Sequence, residues 1–160
     1  MDIAHSLESI GFLSDFSESV LAYPIVLSTH LTCIALFGGM ILMTNLRLLG
    51  LTFNSLSITQ MVAGLRLWKR LGGTIMIGTG LLLATSEATK YASNPFFWTK
   101  MIILVLIGVH GLVFRPIVYC RTEELDRYKV IPTSVKVAAI LSLVLWTGMF
   151  TMGRLIAYWE

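Results

Sequence analysis

Four apolar stretches, each long enough to cross a lipid bilayer, constrain this chain more than any other feature of its sequence. A helix needs roughly 20 residues to cross the hydrocarbon core, at about 1.5 Å per residue. The stretches cover residues 23–49, 67–88, 97–119 and 135–158, with short connections between them. The sequence therefore predicts an all-α integral membrane protein: a single membrane domain, residues 1–160, built as a bundle of four transmembrane helices.

The composition excludes an ordinary soluble domain. Apolar residues make up 56% of the chain and charged residues 13%, whereas charged residues are about a quarter of a typical soluble domain. The lipid bilayer is therefore the expected partner of most of the surface. The net charge of +3 does not indicate nucleic-acid binding, because the basic residues lie at alternate ends of the apolar stretches rather than along one face. Hydrolytic chemistry is not predicted either, since the sequence holds no HExxH motif and no phosphate-binding loop.

The distribution of Lys and Arg predicts the orientation, because basic residues accumulate in cytoplasmic connections. The connections after the first and third stretches hold Arg47, Arg66, Lys69 and Arg70, and Arg115, Arg121, Arg127, Lys129 and Lys136. The opposite side holds Lys90, Lys100 and Arg154. We therefore expect a multi-pass membrane protein with both termini on the outer, non-cytoplasmic side.

Residues 1–20 have a helical pattern of their own. Apolar residues recur at spacings of three and four: Ile3, Leu7, Ile10, Leu13 or Phe16, and Val20. Acidic residues and serines lie between them, and an acidic face is poorly suited to anionic lipid. We expect a short amphipathic helix on the outer face, packed over the mouth of the bundle or against a partner subunit.

Local signals predict details of the second and third stretches. Small residues line the first half of the second stretch, at Gly72, Gly73, Thr74, Gly78 and Gly80. Because small residues let helices approach closely, we expect this helix to be the central packing helix. Asn94 and Pro95 are a suitable cap and first residue for the third helix, and Pro116 should kink or end it.

His30 and His110 are the main candidates for chemistry. An ionisable residue inside lipid costs a few kcal/mol on insertion scales, so each is a candidate functional site. Either histidine can donate a hydrogen bond to a neighbouring helix, line a proton path, or ligate a metal or haem iron. Together they suggest axial ligation of a haem b, although their expected depths differ by roughly 5 to 10 Å. His5, Met149 and Met152 are rival partners for His30.

Three basic residues and one tryptophan near the outer side are candidates for the rest of such a site. Arg154, with Lys90 or Lys100, could pair with the haem carboxylates, because guanidinium meets carboxylate bidentately. Trp146 would form a wall of the pocket. The alternative is that these basic side chains only extend to the membrane interface.

The stretches YPIVLSTHLTCIALFGGMILMTNLRLLGL, ATKYASNPFFWTKMIILVLIGVHGLVF and TMGRLIAYW resemble a bacterial family of small four-helix membrane proteins of unknown function. They are more distantly similar to CopD-type copper-resistance membrane proteins and cytochrome b-like bundles. The family pattern has its intramembrane histidine at His30, but it places a histidine where this chain has Arg115 rather than at His110. The resemblance therefore makes His30 the stronger ligand candidate. It also implies that the membrane is the bacterial inner (cytoplasmic) membrane, so that both termini would lie on the periplasmic side.

The sequence suggests a haem b-binding electron-transfer or anchor subunit of a larger redox complex. Its partners would be other membrane subunits or a periplasmic redox protein. Two alternatives remain open: a cofactor-free accessory subunit of a respiratory or photosynthetic complex, and a copper or proton transporter.

Overall fold

The computed structural model describes residues 11–128 and 130–159, and within these residues it contains helices and no strand. The α-helices are α1 (Gly11–Glu18), α2 (Ala22–Leu49), α3 (Ile58–Ser86), α4 (Ala88–Ala92), α5 (Pro95–Phe114), α6 (Thr122–Arg127) and α7 (Thr133–Leu155). A π-helical turn (Arg115–Tyr119) follows α5, and a 3-10 turn (Ile156–Tyr158) follows α7. The predicted all-α class is confirmed.

Three helical segments are long and apolar enough to cross a membrane. They are Ala22–Leu49, Pro95–Tyr119 and Thr133–Tyr158. α3 is as long as α2, but Lys69 and Arg70 lower the mean hydropathy of its first half. Hydropathy alone therefore does not identify α3 as a membrane span.

The four long helices pack in the order α3, α2, α7, α5. α2 and α7 are thus the central pair, and the expectation that α3 would be central is wrong. The small residues of α3 pack mainly on α2: a Cβ at Gly73 would lie 3.5 Å from the ring of Phe37, and one at Gly80 would lie 2.9 Å from Cε1 of His30. Its glycines therefore bring α3 close to one neighbour only.

The two ends of the bundle differ in charge. We call the end that carries the α2–α3 and α5–α7 connections the basic end, and the other the terminal end, because the described chain ends lie there. At the terminal end, Leu13 and Phe16 of α1 are buried, and Phe16 packs on Tyr23 with 5.9 Å between ring centroids. This part of the predicted amphipathic helix therefore packs on α2 and α3 at the terminal end. Ile3, His5, Leu7 and Ile10 lie outside the described residues.

α3 begins at Ile58, nine residues before the apolar stretch that predicted it. Ser57 and Gln60 form a capping box, in which each side chain bonds the backbone N–H of the other residue. The carboxylate of Asp126 also accepts hydrogen bonds from the N–H groups of Ile58 and Thr59, at 2.6 and 3.0 Å. These acceptors satisfy N–H groups of the first turn that a helix leaves unpaired, so the polar residues after Ser57 are helical.

The signals for α5 are confirmed. The side chain of Asn94 accepts hydrogen bonds from the N–H groups of Phe96 and Phe97, and Pro95 is the first helical residue. At the other end the α-helix stops at Phe114 and continues as the π-helical turn. Pro116 lacks an N–H group, so the regular hydrogen-bond ladder cannot run through it.

The buried side chains form two clusters. One lies at the basic end and comprises Leu48, Ile58, Val62, Val118, Leu125, Val135, Ala138 and Ala139. The other lies in the terminal half, with Met76, Trp146 and Met149 at its centre. The predicted histidines lie outside both clusters, in the contacts between helices.

Candidate functional site

His30 links α2 to α3. Its Nδ1 lies 2.9 Å from Oγ1 of Thr79. The Thr79 hydroxyl is already directed at the carbonyl of Ile75, at 2.7 Å. Since a hydroxyl has one hydrogen to donate, it accepts from His30, and Nδ1 carries the proton. In the neutral ring the lone pair is then on Nε2.

His110 links α5 to α7 in the opposite tautomer. Its Nε2 lies 2.9 Å from the carbonyl oxygen of Ala138. A carbonyl only accepts, so Nε2 is the donor. The ring also packs on Phe114, with 4.8 Å between centroids. Each histidine thus donates a hydrogen bond to a neighbouring helix.

The structure does not bring His30 and His110 together. Asn45 lies 15 residues after His30 on α2, and its side chain donates to Ser142 of α7 at 2.9 Å. Ala138, the partner of His110, is a further turn toward the basic end. At about 1.5 Å per residue the two imidazoles are roughly 20 Å or more apart along the bundle. One iron cannot contact both side chains at that separation.

The predicted haem-carboxylate residues are also dispersed. Nη2 of Arg154 donates to the hydroxyl of Tyr158 at 2.8 Å, and its guanidinium stacks 5.0 Å from the centre of that ring. Nζ of Lys90 pairs with a carboxylate oxygen of Glu87 at 3.1 Å; the Lys90 side chain is exposed and the Glu87 side chain is partly buried. Both side chains are engaged by a residue three or four positions away.

Lys100 and Trp146 lie inside the bundle. Nζ of Lys100 would be 3.6 Å from a Cβ at Gly153, so this ammonium lies against α7 near the terminal end. Trp146 is buried, and its ring packs edge-on against Phe37 at 5.2 Å. Of the three basic residues predicted to bind the haem carboxylates, Lys100 is the one whose charge acts on His30.

The described residues contain no group of three or more His, Cys, Asp or Glu side chains that would hold a metal ion. Cys33 and Cys120 are free thiols. Met149, a rival axial ligand, is buried in the terminal-half cluster beside Trp146 and Met76. The contact between His30 and Gly80 leaves no room for a porphyrin on that side of the ring. Haem and metal binding therefore have no support in this geometry.

Several polar contacts between helices were not predicted. Besides the Asn45 and Ser142 pair, Nζ of Lys69 donates to Oγ1 of Thr44 at 2.7 Å, and Nδ2 of Asn94 donates to the carbonyl of Ile156 at 3.2 Å. The side chains that make these contacts are visible in the sequence as polar residues within or beside apolar stretches. Their partners are not, because 25 to 97 residues separate the members of each pair.

Asp126 has a distinct electrostatic environment at the basic end, outside the apolar helices. Burial alone would raise its pKa, but hydrogen bonds from Thr59 and from the backbone of Ile58, together with the charge of Arg47, lower the pKa overall. Arg47 itself donates from Nε to the carbonyl of Leu56 at 2.7 Å. These contacts hold α6, the α2–α3 connection and the start of α3 together.

A family comparison accounts for nearly the whole chain. Residues 8–159 match the model of a family of unknown function, DUF6644. The chain belongs to the DUF6644 family. No curated protein and no solved structure matches it. Membership agrees with the expected family of unknown function, while the more distant similarity to copper-resistance proteins and cytochromes gains no support.

Proposed function

We propose that this DUF6644 protein is a four-span subunit of the bacterial inner membrane that works without a cofactor, as an accessory subunit of a larger membrane complex. The proposal rests on the hydrogen bonds that the intramembrane polar side chains make to neighbouring helices. The side chains of His30, His110, Asn45 and Lys69 each bond a neighbouring helix. In lipid such bonds hold helices together, and they make these residues structural.

The packing of α3 supports a fourth span. Contacts between α2 and α3 pair His30 with Thr79, Phe37 with Gly73, and Thr44 with Lys69. Tyr23 of α2 bonds Glu87, the residue that follows α3. The two helices are therefore antiparallel and in register. Thr44 lies 21 residues after Tyr23, or about 32 Å, and a hydrocarbon core is about 30 Å thick. If α2 crosses the membrane, α3 crosses it beside α2.

The charge difference between the ends supports the orientation. The basic connections would lie in the cytoplasm and α1 and the 3-10 turn in the periplasm, because Lys and Arg resist translocation. The exposed carboxylates of Asp15 and Glu18 lie at the terminal end, as expected for a side that carries few basic residues.

A shallow groove on α2 supports a role as a subunit. It has a volume of about 460 Å³ and is lined by Leu21, Pro24, Ile25, Ser28, Thr29, Thr32 and Cys33. The hydroxyls of Thr29 and Thr32 bond carbonyls of their own helix at 2.8 Å, so the polar groups of these two threonines are satisfied, and the groove combines small and apolar side chains. Such surfaces are typical of contacts between transmembrane helices. We therefore assign the groove to a transmembrane helix of a partner subunit.

Purification of the tagged protein from its native membranes in a mild detergent tests this proposal. We expect a colourless complex with a second membrane protein in fixed ratio. Thr29→Phe should fill the groove and release that partner, whereas Val144→Phe, at a lipid-exposed position of α7, should retain it. A b-type haem spectrum or stoichiometric copper would contradict the proposal, as would a protein that purifies alone.

A further inference from the structure

Lys69 lies where three elements meet near the basic end. Its ammonium donates to Thr44 of α2 at 2.7 Å and lies 5.9 Å from the centre of the Tyr119 ring in the π-helical turn. The Thr44 hydroxyl donates to the carbonyl of Met40 at 2.8 Å, so it can only accept from Lys69. Both partners of the ammonium are neutral. They orient the charge without compensating it.

The surrounding charges leave this part of α3 strongly positive. Arg66 and Arg70 are exposed and lie within one turn of Lys69, and no acidic residue occurs in Ile58–Ser86. Like charges at such spacings repel each other. Among the acids of the basic end, Asp126 accepts from the start of α3 and Glu124 lies beside Arg121. No ion pair within the described residues joins a carboxylate to Lys69, Arg66 or Arg70.

The depth of Lys69 matches the headgroup region of a bilayer. Its partner Thr44 lies five residues before the end of α2 at Leu49, or about 8 Å. The neighbouring Trp68 is 63% exposed, and tryptophan is enriched at the membrane interface. Leu67 and Leu71 are also exposed, so apolar surface lies directly beside the three cations.

We propose that Lys69, with Arg66 and Arg70, binds the phosphate of an anionic phospholipid in the leaflet at the basic end. The ammonium has donors left after its bond to Thr44, and guanidinium groups bind phosphate bidentately. The acyl chains would lie on the exposed leucines of α3, which favours a lipid over a free phosphate ion. Basic pockets between transmembrane helices are known lipid sites.

Native mass spectrometry tests the site. The purified protein is equilibrated with mixed micelles that contain equal amounts of phosphatidylglycerol and phosphatidylcholine, and the lipid retained per chain is counted. We expect wild type to retain more phosphatidylglycerol than phosphatidylcholine. In Lys69→Met the ratio of the two retained lipids should fall about fivefold, since one cation near the membrane surface contributes about that factor. Lys90→Met, at the terminal end, is the matched control and should behave as wild type.

A second variant and a competition experiment complete the test. If Lys69→Met does not fold, the double variant Arg66→Gln and Arg70→Gln changes only exposed side chains and should still lower the preference. Excess inorganic phosphate should not displace the lipid. An unchanged preference in the variants, or full displacement by inorganic phosphate, would overturn the proposal.

Discussion

Replacing Gly80 with alanine should separate tight helix packing from ordinary helix propensity, because Gly78 on the same helix provides a matched control. A Cβ at Gly80 would lie 2.9 Å from Cε1 of His30, whereas a Cβ at Gly78 would meet nothing within 4 Å. Alanine is favoured over glycine inside a helix by about 1 kcal/mol. Gly78→Ala should therefore be neutral or stabilising.

Gly80→Ala gains the same propensity but forces the imidazole away from α3. Overpacking typically costs about 1–3 kcal/mol, and the cost here should be at the low end of that range because the clashing atom is at the far end of the His30 side chain. The displaced ring also loses its bond to Thr79, worth about 0.6 kcal/mol in a membrane protein. We expect Gly80→Ala to be about 1–2 kcal/mol less stable than Gly78→Ala.

Reversible unfolding in mixed detergent and SDS micelles measures this difference. Adding His30→Ala to Gly80→Ala should recover most of the steric cost, because the atom that clashes is removed. Equal stabilities for the two alanine variants would refute the packing of α3 on His30. So would a steric cost that persists in the double variant.

Three other predictions follow from single contacts. Asn45→Ala should cost about 0.6–1.7 kcal/mol in the same unfolding assay, and Ser142→Ala should add little to it, because both remove one bond between α2 and α7. Asp126→Ala should cost about 0.5–2 kcal/mol and increase hydrogen exchange at Ile58 and Thr59, as expected for a lost helix cap; unchanged exchange would contradict the cap. The pKa of Asp126 is lowered in the folded protein, so its stabilising contribution should be complete above the unfolded pKa of about 3.9 and lost as the pH falls through the folded pKa. Protection of the Ile58 amide from exchange, relative to an unfolded amide at the same pH, should fall over that range; protection that stays constant would argue against the prediction.

The sequence predicted most of the fold where the signals were local. α2 begins one residue before its predicted stretch and ends with it, since the apolar run and Gly50 define both ends. Asn94 and Pro95 begin α5 as expected. The predicted stretch 67–88 does not reach the start of α3, although the capping box of Ser57 with Gln60 is present in the sequence, because the first turns of α3 are not continuously apolar.

The candidate site was harder to predict because it depends on the register between helices. Depth along each helix can be counted from its own end, but the offset of α5 against α2 is fixed by packing on α7. That offset increases the separation of His30 and His110 well beyond the expected 5 to 10 Å. Arg154 and Lys90, by contrast, have partners three or four residues away, at Tyr158 and Glu87, so their local pairing was visible in the sequence.

The most direct test of the central claim is the intact mass of the complex purified from native membranes in a mild detergent. We predict one chain of 17.8 kDa together with at least one other membrane subunit, and no haem or metal in the total mass. A mass that corresponds to the chain alone, or to the chain with one bound haem, would contradict the account.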